Sequence, residues 1–440
     1  MNNYRRLYLS HLLTSWVDRS FEFASYLLIS RVYTTSLLQS SIYGLTTTLA
    51  ALLLSNRIGN WINILSRLNT YRITLFVQKS SIILSTVLFH YLDDGSEGSS
   101  SIHDALYAFI IILGCTLKLS FIGNSIAIEK DWAMIISDGH LELLLPTMRR
   151  IDLVCKTISP IFIGYLLLAP PLASTLVICA WTGLSSVMEY ILISQIHSNV
   201  PGLAVRVPYN SPTTEEGQEQ QQQQQEDGSL SLPVSAREYV YHKTFLATLS
   251  LGMLYMNVLS FGGTMTSYLV LTGYNPGLLG IMKAIAGVVG VAGTYVQPLL
   301  AHKIGNIRTG LWSIWQLALT LLLVLIALTN KLDSYIVSSI LLFGGMATSR
   351  LGLWMFDISE NLILQEYTAA SQVTSIAGWQ YSLCNGFDLL QYVLTIVVSD
   401  PGMFLIPASI STGSIVVAAV IYTWFVWRDR GHLIHRIKLK

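Results

Sequence analysis

Apolar residues along this chain come in long, evenly spaced blocks separated by short polar turns. In the first half they run roughly over 7–32, 41–62, 72–92, 104–128, 146–170 and 173–196. In the second they run over 244–271, 277–301, 309–329, 334–358, 371–399 and 403–427. Each is close to or above the ~20 residues that a helix needs to cross a bilayer. The pattern predicts an all-α membrane protein of about twelve transmembrane helices. The seventh block holds Ser260, Phe261, Gly262, Gly263 and Thr264 at its middle, which predicts a broken helix, because unwound backbone at membrane depth lines a cavity. Gly287, Gly290 and Gly293 in the eighth block read instead as close helix packing.

Between the sixth and seventh blocks lies a polar stretch, 199–237, with Pro201, Pro208, Pro212, Glu215, Glu216 and the run Gln220 to Gln225. Such a segment buries too little apolar surface to fold, so it reads as a disordered, Gln-rich cytoplasmic linker. It divides an N-terminal half, 1–198, from a C-terminal half, 238–440, that contains the broken seventh helix. Two six-helix halves joined by a long linker is the arrangement of the major facilitator fold, whose halves rock about a midplane site.

Composition agrees with lipid as the solvent. Only 12% of residues are charged, about half the share in a soluble domain, and mean hydropathy is +0.53. A net charge of +1 gives no reason to expect nucleic acid. Basic residues cluster at the termini and in alternate loops, for example Arg57, Arg67 and Arg72, then Arg206, Arg237 and Lys243, then Arg428 and Arg430. With an even helix count, both termini are then cytoplasmic. The four cysteines lack the close spacing of zinc or redox motifs, and no HExxH or serine–lysine context marks an enzyme. The expectation is a multi-pass carrier, monomeric and without a cofactor, in the plasma or the vacuolar membrane.

Charges in hydrocarbon are costly, so those inside the blocks are the candidates for function. At about 100° per residue, His11, Asp18 and Glu22 fall within roughly 20° of one line on the first helix, while Arg19 points away. Two carboxylates and an imidazole on one face suit a divalent first-row metal or a proton relay. The competing assignment is an internal ion-pair network with Arg149, Arg150 or Lys79. Gln78, Thr182, Ser185 and Glu189 are further buried polar candidates, with Asp357 and Asp388 in the second half. Arg149 and Arg150 directly precede Asp152 near the cytoplasmic mouth, which suggests a gate of arginine and carboxylate.

Several strings resemble the ferroportin family of ferrous-iron exporters within the major facilitator superfamily. They include Tyr8-Leu9-Ser10-His11 with Trp16-Val17-Asp18-Arg19, Glu129-Lys130-Asp131-Trp132, Arg149-Arg150-Ile151-Asp152, Met188-Glu189-Tyr190, Gly352-Leu353-Trp354 with Asp357, and Leu364-Gln365-Glu366. The resemblance implies export of Fe²⁺, and of other divalent metals, from the cytosol by alternating access with proton exchange. It places a metal site around Asp18, with Glu22, His11, Gln78, Ser185 and Glu189 as further candidate ligands. A regulatory calcium would use Asp18, Gln78, Thr182 and Glu189, but a threonine at 182 in place of an amide argues against it. The family's second site falls on Gly263 and Gln391, neither a strong ligand, with Cys384 and Asp388 nearby as substitutes. The alternative is a facilitator carrier for an organic or other small solute.

Overall fold

The computed structural model describes residues 3–64, 66–93, 100–125, 127–128, 132–136, 141–203, 235–329, 335–368 and 373–430. The first half folds into α1 (Asn3–Val32), α2 (Leu38–Ile64), α3 (Arg67–Asp93), α4 (Ser100–Ser125), the short α5 (Ala133–Ile136), α6 (Leu141–Leu166) and α7 (Pro171–Asn199). The second half folds into α8 (Ala236–Tyr241), α9 (Phe245–Tyr255), α10 (Gly263–Leu271), α11 (Pro276–Ile304), α12 (Asn306–Leu328), α13 (Tyr335–Tyr367), α14 (Val373–Val397) and α15 (Leu405–Arg430). Helix therefore occupies every apolar block. Among the described residues, seven helices are long and apolar enough to cross a membrane: α3, α4, α7, α11, α12, α13 and α15. The first helix is as long as these but carries Asp18, Arg19 and Glu22 inside it, so its polarity reflects what it presents inward rather than failure to span.

Helix ends follow ordinary local chemistry. Pro171 opens α7, where a missing N–H costs nothing. Ser235 and Glu238 form a reciprocal capping box at the start of α8, each side chain bonding the other residue's backbone N–H. Gly273 and Gly305 take φ of 93° and 87° at the turns before α11 and α12, a region glycine enters without steric cost. α13 runs nine residues past the end of its apolar block at 358, because its last turns carry buried polar residues, Ser359 and Glu360, that an apolar count stops at.

The seventh block is helical on both sides of an interruption between Tyr255 and Gly263. The open backbone there is satisfied locally. Asn257 Oδ1 accepts from Leu259 N at 2.9 Å, and Ser411 Oγ accepts from Val258 N at 3.2 Å. Because the two pieces are separate helices, each packs where it lands, and this changes the domain division. One compact unit holds Met1–Pro208, Gly263–Ala284 and Ser399–Pro401; the other holds Tyr209–Gly262, Ile285–Val398 and Gly402–Lys440. We call these unit 1 and unit 2. The first includes α10, which packs on α1 and α2. Of the linker 199–237, residues 204–234 lie outside the described residues. Its first part is ordered, since Pro201–Leu203 form a 3₁₀ turn that buries Leu203 against Trp132, Leu144 and Ile196 in the core of unit 1.

Small residues set the closest helix approaches. In unit 1 a Cβ at Gly280 would lie 2.2 Å from the Pro160 carbonyl oxygen, and one at Gly164 would lie 2.4 Å from that of Pro276. These two glycines let α6 and the start of α11 touch through backbone. In unit 2 a Cβ at Gly352 would stand 2.6 Å from the Ser313 carbonyl oxygen, at the extensive contact of α12 with α13. Rigid backbone cannot give way as a flexible side chain would. Gly352→Val is therefore expected to cost about 1–3 kcal/mol by overpacking, read as a lower thermal midpoint of the purified protein in detergent; an unchanged midpoint would disprove the close crossing.

Candidate metal site in the first unit

Consecutive residues on a helix project about 100° apart, and this decides the electrostatics of unit 1. On α3, Gln78 and Lys79 point to different neighbours. Gln78 Nε2 donates to Asp18 Oδ1 on α1 at 2.6 Å, while Lys79 Nζ pairs with Glu189 Oε1 on α7 at 2.8 Å. On α1, Asp18 and Arg19 diverge in the same way. Arg19 turns to α6 and grips Asp152 with Nε to Oδ1 at 2.9 Å and Nη2 to Oδ2 at 3.1 Å, and its Nη1 holds Glu22 at 2.8 Å. The cations that follow Asp18 and its partner Gln78 in the chain, Arg19 and Lys79, are thus committed to other acids.

Asp18 itself is buried, and its second oxygen, Oδ2, has no hydrogen-bond partner. The amide that touches Oδ1 is oriented from behind. Asn124 Nδ2 on α4 donates to Gln78 Oε1 at 2.6 Å, and Thr74 Oγ1 donates to Asn124 Oδ1. This run, Thr74 to Asn124 to Gln78 to Asp18, fixes the Gln78 amide with its NH₂ toward the carboxylate. A buried carboxylate oxygen without a donor costs free energy, so its retention beside a fixed amide is a mark of function.

The other predicted ligands do not join it. Glu189 is fully engaged, since Lys79 and Ser185 Oγ bond Oε1 and Thr14 Oγ1 donates to Oε2 at 2.7 Å. His11 Nε2 lies 3.2 Å from the Met148 carbonyl oxygen, two turns along α1 from Asp18. Glu22 is half-exposed and clamped by Arg19. Among the described residues, no three His, Cys, Asp or Glu side chains stand close enough to hold a metal ion. In this structure the candidates lie in separate groups, Asp18 with Gln78, Glu189 with Ser185 and Lys79, and Glu22 with Arg19, while His11 meets the Met148 carbonyl.

Of the candidate gate residues, Asp152 is held by Arg19 of α1, Arg150 sits 200° around α6 from Asp152 and is exposed, and the Arg149 side chain lies outside the described residues. Arg19, His11, Ser15, Asn124 and Asp152 line a cavity of about 350 Å³ in unit 1, with Tyr71 and Phe121 among its walls. Thr182 is buried on α7, one turn before Ser185 and two before Glu189.

Unit 2 has its own polar cavity, of about 220 Å³, lined by Tyr255, Asn257, Ser260, Arg350, Asp357, Asp388 and Gln391 among others. Gln391 Nε2 donates to Asp388 Oδ1 at 2.7 Å, and Cys384 is buried. Gly263 belongs to unit 1, where a Cβ would fall 2.0 Å from the Tyr26 ring; that tyrosine occupies the space a side chain at 263 would need. Sequence reasoning missed Glu360, fully buried on α13, whose Oε2 accepts from Gln380 Nε2 at 2.6 Å and whose Oε1 has no partner. It also missed Asn124 and the bridging role of Arg19. Asn124 had one visible signal, a lone amide in an apolar block, with Thr74 and Gln78 one turn apart on α3 to receive it.

These features define a polytopic α-helical carrier of major-facilitator type, with a buried acid held at the heart of its first helix bundle. The Ferroportin1 (FPN1) family profile matches residues 2–415. The chain belongs to the ferroportin family, a family of membrane transporters and not of enzymes. It is 30% identical to solute carrier family 40 member 1 of Oryza sativa subsp. japonica, covering 98% of this chain and 92% of that protein. It is 29% identical to solute carrier family 40 member 1 of Arabidopsis thaliana, covering 98% and 89%. Its fold matches the crystal structure of a bacterial homologue of iron transporter ferroportin in inward-facing state, with a TM-score of 0.81 at 20% identity over 96% of this chain and 98% of that one. A D-xylose-proton symporter shares the fold at a TM-score of 0.65 and 11% identity, covering 98% and 99%.

Breaking a buried ion pair leaves one charge uncompensated, whereas removing both charges need not. Lys79→Met or Glu189→Met alone is expected to destabilise by about 3–5 kcal/mol, and the double substitution to recover much of that loss. Thermal unfolding followed by size-exclusion chromatography checks it; equal losses in all three variants would mean that the pair is not coupled.

Proposed function

We propose that this protein exports ferrous iron, and other divalent metals of similar size, from the cytosol by alternating access with proton exchange. One observation carries the reading. Asp18 is a buried carboxylate with one oxygen held by a fixed amide and the other without a donor, while Arg19 and Lys79 are each bound to a different acid. A cation is what such an oxygen lacks. Kinship with ferroportins and with a bacterial homologue of iron transporter ferroportin supports iron as that cation.

In this reading Asp18 is the primary ligand and Gln78 a neutral companion, with hard oxygen donors that suit Fe²⁺ and Co²⁺. Lone carboxylate and amide donors bind a metal weakly, which a carrier needs for release. Water and mobile side chains complete the shell. Proton exchange follows from the same acid: when the metal leaves, a proton neutralises a carboxylate that has no arginine or lysine of its own. Both termini and the linker are cytosolic on the charge asymmetry of the loops. Glu22 and Asp152 serve as the partners of Arg19 in an ion-pair switch between α1 and α6, because such pairs break and re-form as helices rock.

Proteoliposomes loaded with a metal-sensitive dye test this directly. Asp18→Ala is expected to lower saturable Fe²⁺ or Co²⁺ flux by about tenfold or more, the scale of losing one charged ligand, with the protein still monodisperse. Gln78→Leu should weaken apparent metal affinity less than Asp18→Ala does. Undiminished flux in Asp18→Ala would remove the site, and saturable flux of an organic solute with no metal flux would remove the substrate.

A further inference from the structure

The cavity of about 220 Å³ in unit 2 has no part in the Asp18 site. α13 supplies Arg350, Trp354 and Asp357 to its wall, while Tyr255, Asn257 and Ser260 come from the end of α9 and the interruption that follows it. Positions four and seven residues beyond Arg350 return to within about 40° and 20° of it, so the guanidinium, the indole and the carboxylate share one face of α13. Rise along the axis sets Arg350 and Asp357 about 10 Å apart, with Trp354 between them. The α11 flank of this face is closed by backbone. A Cβ at Gly290 would stand 2.7 Å from the Trp354 ring and 3.6 Å from Arg350 Cβ, and one at Gly293 would stand 2.9 Å from the Leu351 carbonyl oxygen.

Arg350 is the anomaly in this wall. Its Nε and Nη2 are buried and have no hydrogen-bond partner, and among the described residues no carboxylate pairs with it. A guanidinium is charged at every physiological pH and has only donors, so nitrogens stripped of water and given no acceptor are costly to keep. At the wall of a polar cavity, such a group marks a place for an anion. Its planar fork matches a carboxylate through two parallel hydrogen bonds.

Asp357 limits what that anion can be. It is half-buried on the same wall, and its carboxylate makes no hydrogen bond or ion pair among the described residues. A purely anionic ligand would be repelled at this end, and a purely cationic one at the other. A molecule with a carboxylate and an ammonium several bonds apart satisfies both, and the indole of Trp354 offers its face to the carbon chain between them. We propose that the unit 2 cavity binds a small zwitterion of this kind, its carboxylate on Arg350 and its ammonium on Asp357. The site stands on these residues alone and does not depend on the metal-transport reading.

The probe is 6-aminohexanoate, tested on the purified full chain in detergent. Saturable binding of the ¹⁴C-labelled compound is expected, with affinity rising from glycine through 4-aminobutyrate to 6-aminohexanoate as the two charges move apart. Arg350→Gln should weaken it about tenfold or more, the scale of losing charge-assisted hydrogen bonds, and Arg350→Lys should retain part of the affinity. Asp357→Asn should weaken 6-aminohexanoate about fivefold, the effect of one partly screened charge, and should not weaken hexanoate, which has no ammonium. Asp18→Ala should leave the affinity unchanged. Because the guanidinium has no partner to lose, ligand-free Arg350→Gln should unfold at the wild-type temperature or above it, and the probe should raise the midpoint of the wild type only. Absence of saturable binding, unchanged affinity in Arg350→Gln, or hexanoate bound as tightly as 6-aminohexanoate overturns the proposal. A lowered midpoint in ligand-free Arg350→Gln overturns it as well, since the guanidinium would then be holding the fold.

Discussion

Inside a bilayer a charge without a partner is the most expensive thing a helix can carry, and the first unit is organised by how its charges are paired off. Lys79 is neutralised by Glu189 and Arg19 by Asp152, each across helices that the chain keeps far apart in sequence, and Arg19 also holds Glu22 one turn along its own helix. These pairings tie α1 to α6 and α3 to α7, so the electrostatics and the packing of the unit are one arrangement. What they leave over is Asp18. Its isolation is a product of everything around it being satisfied, down to the Asn124 and Thr74 side chains that hold the Gln78 amide in one orientation.

That pairing scheme also separates two roles that a list of polar residues would merge. Glu189, Ser185 and Thr14 form a closed knot around an ammonium and have no free valence for a substrate. Glu22 sits on the exposed side, clamped by Arg19. Among the described residues of this unit, Asp18 is the buried carboxylate with an open oxygen.

Much of this architecture is legible in the chain. Blocks of apolar residues at bilayer length announced the helices, glycines flanking Phe261 announced the break in the seventh, and the cost of charge in hydrocarbon singled out Asp18 and Gln78. Where the reading failed, it failed on partners. Helical periodicity grouped His11, Asp18 and Glu22 because they share a line, yet Arg19 claims Glu22, Gln78 meets Asp18 and the Met148 carbonyl meets His11. Adjacency grouped Arg150 with Asp152, although residues two apart on a helix face opposite ways. The end of α13 was cut short because buried Glu360 looks, in a hydropathy count, like a boundary.

By itself, then, the sequence determined the solvent, the number and length of the apolar elements and the family, since these depend on composition, period and local strings. It also determined which ionisable residues are too costly to be incidental, because that cost depends only on their depth in an apolar run. The tertiary structure alone decided which acid stays unneutralised, because a charge pair is made across helices and depends on which side of each helix meets its neighbour. A rotation of 100° separates Asp18 from Arg19 and Gln78 from Lys79, and no one-dimensional pattern records where those rotations point once the helices are packed.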